Sequence, residues 1–224
     1  MTTNPNHLRL FPVLVFCLLL LICTNSCSVI VDSNITLQQA LVGTKAPQRI
    51  IDSLMLMNVQ YYSFDKRMHR GQMVVNKVVE KDVNLFFREA RKIKFPINKV
   101  IPIVQYHWSD DASMNDNNSS SFNYRLVART TRISNHSFGR AMDINPFTNP
   151  AVHADGLIEP KNAVYHPDSI GSLNPTSKLV LLMQSLGWEW GGSEHWMKVK
   201  KYHDYQHFQK MSCELNIYEE QLKK

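Results

Sequence analysis

The chain has 224 residues, with 25 Lys and Arg against 19 Asp and Glu for a formal net charge of +6 at pH 7. That excess is diffuse, and no Lys/Arg cluster interleaves with aromatics, which argues against nucleic-acid binding. The one long apolar run, Leu8 to Cys23, is too short and too near the start for a membrane span, and Arg9 and Pro12 interrupt it. It reads as the core of an export signal over residues 1–26. Thr24-Asn25-Ser26-Cys27 places a small residue before a cysteine, as at a lipoprotein processing site, so Cys27 is expected to carry a lipid anchor in the periplasm or cell envelope. Cys17 and Cys23 fall in the signal, leaving Cys27 and Cys213, which excludes a disulfide framework. Residues 27–47 are expected to form a tether and 48–224 a single monomeric domain.

Within that domain the elements alternate in type. Leu54 to Phe64 carries partial alternation and β-favouring aromatics, Asp65 to Gly71 is polar and ends in glycine, and Gln72 to Val75 is apolar again, so a hairpin is expected. Val79, Val83, Phe86, Phe87 and Ala90 recur at helical spacing, and Phe95-Pro96 ends that helix. Asp110 to Ser121 reads as a polar loop leading to Arg125. A second helical stripe, Leu179, Leu182, Met183 and Leu186, opens near Asn174-Pro175 and stops at Gly187. The class is therefore mixed, α+β.

The residues that carry chemistry are concentrated in two places. The stretch Ser134 to Asp143 contains His136, Gly139 and Asp143, and Asp204-Tyr205-Gln206-His207 lies far downstream. Two imidazoles and a carboxylate leave a fourth position to water, which is what a catalytic zinc needs; a structural zinc is normally closed by four ligands. Gly139 relaxes the backbone for a bend, and the following Ala141-Met142-Asp143-Ile144 reads as a half-buried strand with Met142 and Ile144 turned to the core. Such a bend brings Asp143 back beside His136. His207 sits among Tyr205, Phe208 and Trp196, an aromatic setting that fixes a ligand and excludes water.

The string Ser134-x-His136-x-x-Gly139-x-Ala141-x-Asp143 matches every fixed position of the SxHxxGxAxD motif of zinc peptidases with the Hedgehog/DD-peptidase-like fold. Flanking segments, including Phe122-Asn123-Tyr124-Arg125, Asp143-Ile144-Asn145-Pro146 and Gly187-Trp188-x-Trp190-Gly191-Gly192, resemble the VanY-type and endolysin-type branch of peptidase family M15 from about residue 50 to 210. The resemblance implies a small antiparallel sheet carrying one Zn2+, flanked by helices, with His136, Asp143 and His207 as ligands. It further implies Asp204 as general base, where other branches have Glu, and Arg125 as the group that stabilises the carbonyl oxygen as it gains charge. Ser134 either contacts substrate or holds the loop by a local hydrogen bond. The implied substrate is the peptidoglycan stem peptide, cut at L-Ala-D-Glu or at D-Ala-D-Ala. A zinc-containing wall-binding module without turnover is the reading from a different class, against which the presence of Asp204 and Arg125 speaks.

Other titratable residues carry less. His195 and His203 are in the wrong register for the motif, Glu189 and Glu194 are alternative bases expected to be solvated, and His107, His153 and His166 have no partner at ligand spacing. Asn34, Asn117, Asn118 and Asn135 match the glycosylation sequon by chance.

Overall fold

The computed structural model describes Met1, residues 28–128 and residues 130–210. The expected signal, Cys27 and Cys213 lie outside the described residues. In chain order the strands are β1 Ile30–Val31, β2 Leu54–Tyr62, β3 Met68–Asn76, β4 Lys99–Val100, β5 Asn118–Ser119 and β6 Ala141–Asp143. They continue with β7 Ala151–His153, β8 Ile158–Glu159, β9 Glu189–Trp190, β10 Tyr202–Asp204 and β11 His207–Gln209. The α-helices are α1 Leu37–Ala40, α2 Gln48–Ile51, α3 Glu80–Lys92, α4 Asp110–Asn115, α5 Lys178–Ser185 and α6 Glu194–Lys200. Helices and small sheets are thus mixed in the α+β manner. Among the described residues no helix is long and apolar enough to cross a membrane.

The expected hairpin is β2–β3, paired antiparallel from Leu54↔Asn76 to Tyr62↔Met68. Its second strand starts earlier than the polar stretch implied. His69 is polar yet strand-forming because its Nδ1 contacts the Asp32 carboxylate at 2.9 Å. That contact, together with an apolar cluster in which Ile35, Leu37, Ala40 and Leu41 meet Ile50, Leu54 and Val74, explains why residues 30–46 pack against the domain. β1 pairs parallel with β3, Ser33 Oγ donates to Gln72 Oε1 at 2.8 Å, and Ala40 is buried. Residues 110–119, expected as a loop, contain α4, which Ser109 caps through an Oγ that accepts from Ala112 N at 3.1 Å.

Helix α3 buries Val83, Phe86, Phe87 and Ala90, the predicted stripe, against the inner face of β2. Each large side chain fully withdrawn from water contributes roughly 1.5–3 kcal/mol. The helix stops at Lys92, before Phe95-Pro96, where Lys94 adopts a positive φ of 53°. Helix α5 follows the second stripe and adds Leu179, Val180 and Met183 to the same core, closed by Gly187 at φ 81°. Phe208 of β11 is fully buried and meets Phe86 edge-on at 5.9 Å. Alternation along a strand turns its neighbour His207 to the opposite face of β11.

Candidate metal centre

The site is built on the three-stranded sheet β6-β11-β9. Strands β6 and β11 run antiparallel with Asp143 directly opposite His207 and Met142 opposite Phe208. Met142 and Phe208 supply the core face, and Asp143 and His207 share the other. The expectation of a half-buried strand needs one amendment: all of β6 is buried, because β11 and the segment at Ser120 cover both its edges. His136 arrives from a single 3-10 turn, Asn135–Phe138, ended by Gly139 at φ 63°. A Cβ at Gly139 would lie 2.6 Å from Asn76 N and 2.9 Å from Leu54 Cδ2, so the bend requires both the left-handed conformation and the missing side chain.

Three ligand atoms converge there. His136 Nε2 lies 3.2 Å from Asp143 Oδ2, His207 Nδ1 lies 2.9 Å from Asp143 Oδ1, and the two ring nitrogens are 3.2 Å apart. All three residues are buried, and His136, Asp143 and His207 could together hold a metal ion. The outward nitrogens are tied to acceptors: His136 Nδ1 to Ser121 O at 2.6 Å and His207 Nε2 to Gln209 Oε1 at 3.3 Å. Each acceptor favours the tautomer that leaves the inward nitrogen unprotonated for a cation, the usual arrangement behind a metal-ligating histidine. The donor set therefore fits a metal of the zinc kind. Burial by itself would raise the Asp143 pKa, but the His136 and His207 imidazoles outweigh it and hold the carboxyl well below the ordinary range. For His207, burial works to lower the pKa, and the Asp143 carboxylate overcomes it and raises it.

Asp204 ends β10, close enough to couple electrostatically with His207, Asp143 and His136. Its Oδ1 is buried without a hydrogen-bond partner among the described residues. Burial pushes its pKa up to about 6 against the pull of His207, the Asp143 charge adds to the rise, and a hydrogen bond from Gln206 opposes it. The Trp-Gly-Gly turn places this carboxylate. Gly191 N donates to His207 O at 2.8 Å, and Asp204 N donates to Gly191 O at 2.9 Å. A Cβ on Gly191 would stand 2.3 Å from Asp204 O, so the backbones approach this closely only at glycine.

Arg125 and Ser134 adjoin the centre through Ser137. Ser137 Oγ accepts from Arg125 N at 2.9 Å and donates to Arg125 O at 2.8 Å, while Ser134 N donates to the same carbonyl at 3.0 Å. The Arg125 guanidinium pairs with Asp110 at 2.7 Å, and its buried Nε has no partner among the described residues. Ser134 is buried, and its Oγ caps the turn by accepting from His136 N at 3.3 Å.

Trp196 packs 5.2 Å from the His207 ring as expected. Phe208 faces the core instead, and Tyr205 stacks on Tyr165 at 3.5 Å and on His203 at 5.2 Å. His195, Glu194, His107 and His166 are exposed, His153 bonds Glu159 at 2.8 Å, and Glu189 accepts from Gln209 Nε2 at 2.6 Å. Asn118 is fully buried and bonds Ile101 O and Ser113 Oγ, so its sequon is unusable by a glycan. Sequence reasoning missed Ser121, Ser137 and Gln209. Gln209 was within reach, since it lies two residues past His207 on one strand and must share its face. Ser121 acts through a backbone carbonyl and leaves no residue signal.

Residues 128–210 match a family model described as D-alanyl-D-alanine carboxypeptidase, and this match supports a peptidase of family M15. It takes in the three candidate ligands, Ser134 and Asp204; Arg125 lies just before it. No curated protein and no solved structure matches the chain.

Proposed function

We propose that this M15-type chain is a zinc-dependent peptidase that hydrolyses a peptide bond of the peptidoglycan stem, with the Hedgehog/DD-peptidase-like arrangement around one Zn2+. The observation that carries the reading is the buried convergence of His136, Asp143 and His207 next to the half-buried Asp204, whose Oδ1 is buried without a partner among the described residues. A zinc ion in that donor set supplies Lewis acidity toward water and toward a carbonyl oxygen.

The chain's own residues do the rest. Asp204, its pKa raised by burial to about 6, takes a proton from the attacking water and delivers it to the departing amine nitrogen. Asp110 holds the Arg125 guanidinium at 2.7 Å, fixing a positive charge for the oxygen that becomes negative as the carbonyl is attacked. Trp196 covers one side of His207 and keeps bulk water from the ligand. Ser134 and Gly139 set the turn that delivers His136. No covalent intermediate on the protein is required.

The Asp204 base and the Trp-Gly-Gly turn favour the L-Ala-D-Glu bond over D-Ala-D-Ala. Defined muropeptides weighed by mass spectrometry test this. Endopeptidase action cuts both tetrapeptide and pentapeptide stems and leaves L-Ala on the muramyl end, whereas release of D-Ala from pentapeptide alone identifies a carboxypeptidase. If neither stem changes in the presence of zinc, the non-catalytic wall-binding module becomes the better account. We place the protein outside the cytoplasm, anchored through Cys27; Cys27→Ser then shifts it to the soluble fraction, and unchanged membrane retention defeats the anchor.

A further inference from the structure

A groove of about 690 Å3 runs along β2 beside the solvent face of α3, away from the metal centre. Four cations line it: Arg70 from β3 and Lys81, Arg88 and Arg91 from α3. No carboxylate is among its lining residues. Lys81, Asn84, Arg88 and Arg91 fall on one side of α3 by their spacing; of the three acidic residues of that helix, Asp82 accepts from Trp188 and pairs with Lys210, Glu89 pairs with Lys92, and Glu80, in the first turn, is not among the lining residues. Arg70 Nε is a buried donor with no partner among the described residues. Arg91 is held upright across the groove by donating to Gln60 Oε1 at 2.8 Å, and Gln60 is the direct cross-strand neighbour of Arg70. The floor is apolar, from Val59, Leu85 and Phe87.

We infer that this groove binds a linear phosphodiester polymer, of the polyol- or sugar-phosphate type. From Lys81 to Arg91 the charges span about 15 Å of helix at 1.5 Å per residue, a length that suits successive anionic groups of a chain better than one small anion. Three of the four cations are arginines, whose planar forks match phosphate oxygens in pairs. Amide side chains at Asn84 and Gln60 stand between them for neutral hydroxyls, and the apolar floor accepts the carbon backbone. The bond from Arg91 to Gln60 bridges the groove over the β2 edge, which favours recognition by side-chain cations over the addition of a peptide strand. Phe86 and Phe208, in contact at 5.9 Å, put the core between this groove and the metal centre. The site is therefore a holdfast independent of the peptidase reading.

The test uses the whole protein and long-chain polyphosphate as the probe, with binding followed by fluorescence anisotropy over a series of salt concentrations. The expected result is saturable binding whose logarithm falls with log salt at a slope of roughly −2 to −4, about −0.7 to −0.9 for each phosphate neutralised. Arg88→Ala/Arg91→Ala weakens it at least 10-fold, while Lys45→Ala/Lys161→Ala, which removes the same charge from exposed sites elsewhere, changes it less than 2-fold. Both variants keep the parent's circular dichroism and zinc content. Equal losses in the two double variants reduce the effect to bulk charge and overturn the proposal. Tighter binding of poly-L-glutamate than of polyphosphate at matched charge also overturns it, in favour of an acidic peptide.

Discussion

Replacing Gly191 by alanine tests how the Trp-Gly-Gly turn positions the site. The new Cβ would stand 2.3 Å from Asp204 O and 2.8 Å from Asp204 Cβ, where ordinary contact needs 3.4 Å or more. The two backbones must therefore part by about 1 Å, an overpacking that costs about 1–3 kcal/mol, and the 2.9 Å bond from Asp204 N to Gly191 O is weakened at about 1 kcal/mol more. A total near 2–4 kcal/mol lowers the urea midpoint by about 1–2 M at a typical slope and leaves a folded protein. The catalytic effect is larger, because a group displaced by about 1 Å from its working position costs about 100-fold in rate. Gly187→Ala supplies the comparison. Its φ of 81° is strained for alanine, yet nothing lies within 4 Å, so it loses about 1 kcal/mol of stability with turnover intact. Urea unfolding and steady-state turnover on the same preparations read both effects. A Gly191→Ala enzyme with the parent's kcat would refute the positioning argument.

Asp204→Asn keeps the shape and removes the base, so it retains zinc and loses at least about 100-fold in turnover; near-normal rates would shift the base role to another group. Because Asp204 accepts a proton only when ionised and its pKa is raised, kcat/KM falls as pH drops through about 6, or lower once a cation sits beside it, and the limb is absent from the residual rate of Asp204→Asn. A limb unchanged in that variant belongs to a different group. Gln209→Leu removes the acceptor behind His207 Nε2 and weakens zinc binding about 10- to 100-fold by competition with a chromogenic chelator, whereas unchanged affinity would leave Gln209 a purely structural role.

The cluster of His136, Asp143 and His207 was legible because a metal centre demands fixed residue types and because Gly139 marks the bend that joins His136 to Asp143. The partnership of Asp143 with His207 was not readable from local pattern alone, since it depends on the register of two short strands distant in sequence. The α3 stripe was read correctly from apolar spacing, but its cationic outer face was overlooked, because charges at the same period look like ordinary solvated surface. Met68 to Gly71 and residues 30–46 read as loop and tether because their apolar residues follow no sustained helical or strand period. What orders them is tertiary contact at a distance in sequence: Asp32 with His69, Ser33 with Gln72, and Ala40, Ile35, Leu37 and Leu41 in an apolar cluster with Ile50, Leu54 and Val74, none of which shows as a local pattern.

Metal content and turnover measured on one set of samples test the central claim most directly. The account predicts one zinc per chain in the purified protein, activity that disappears on chelation and returns in proportion to zinc restored, and loss of both metal and turnover in His136→Ala. A chelated protein with full turnover, or a His136→Ala variant with full zinc content and full turnover, would contradict it.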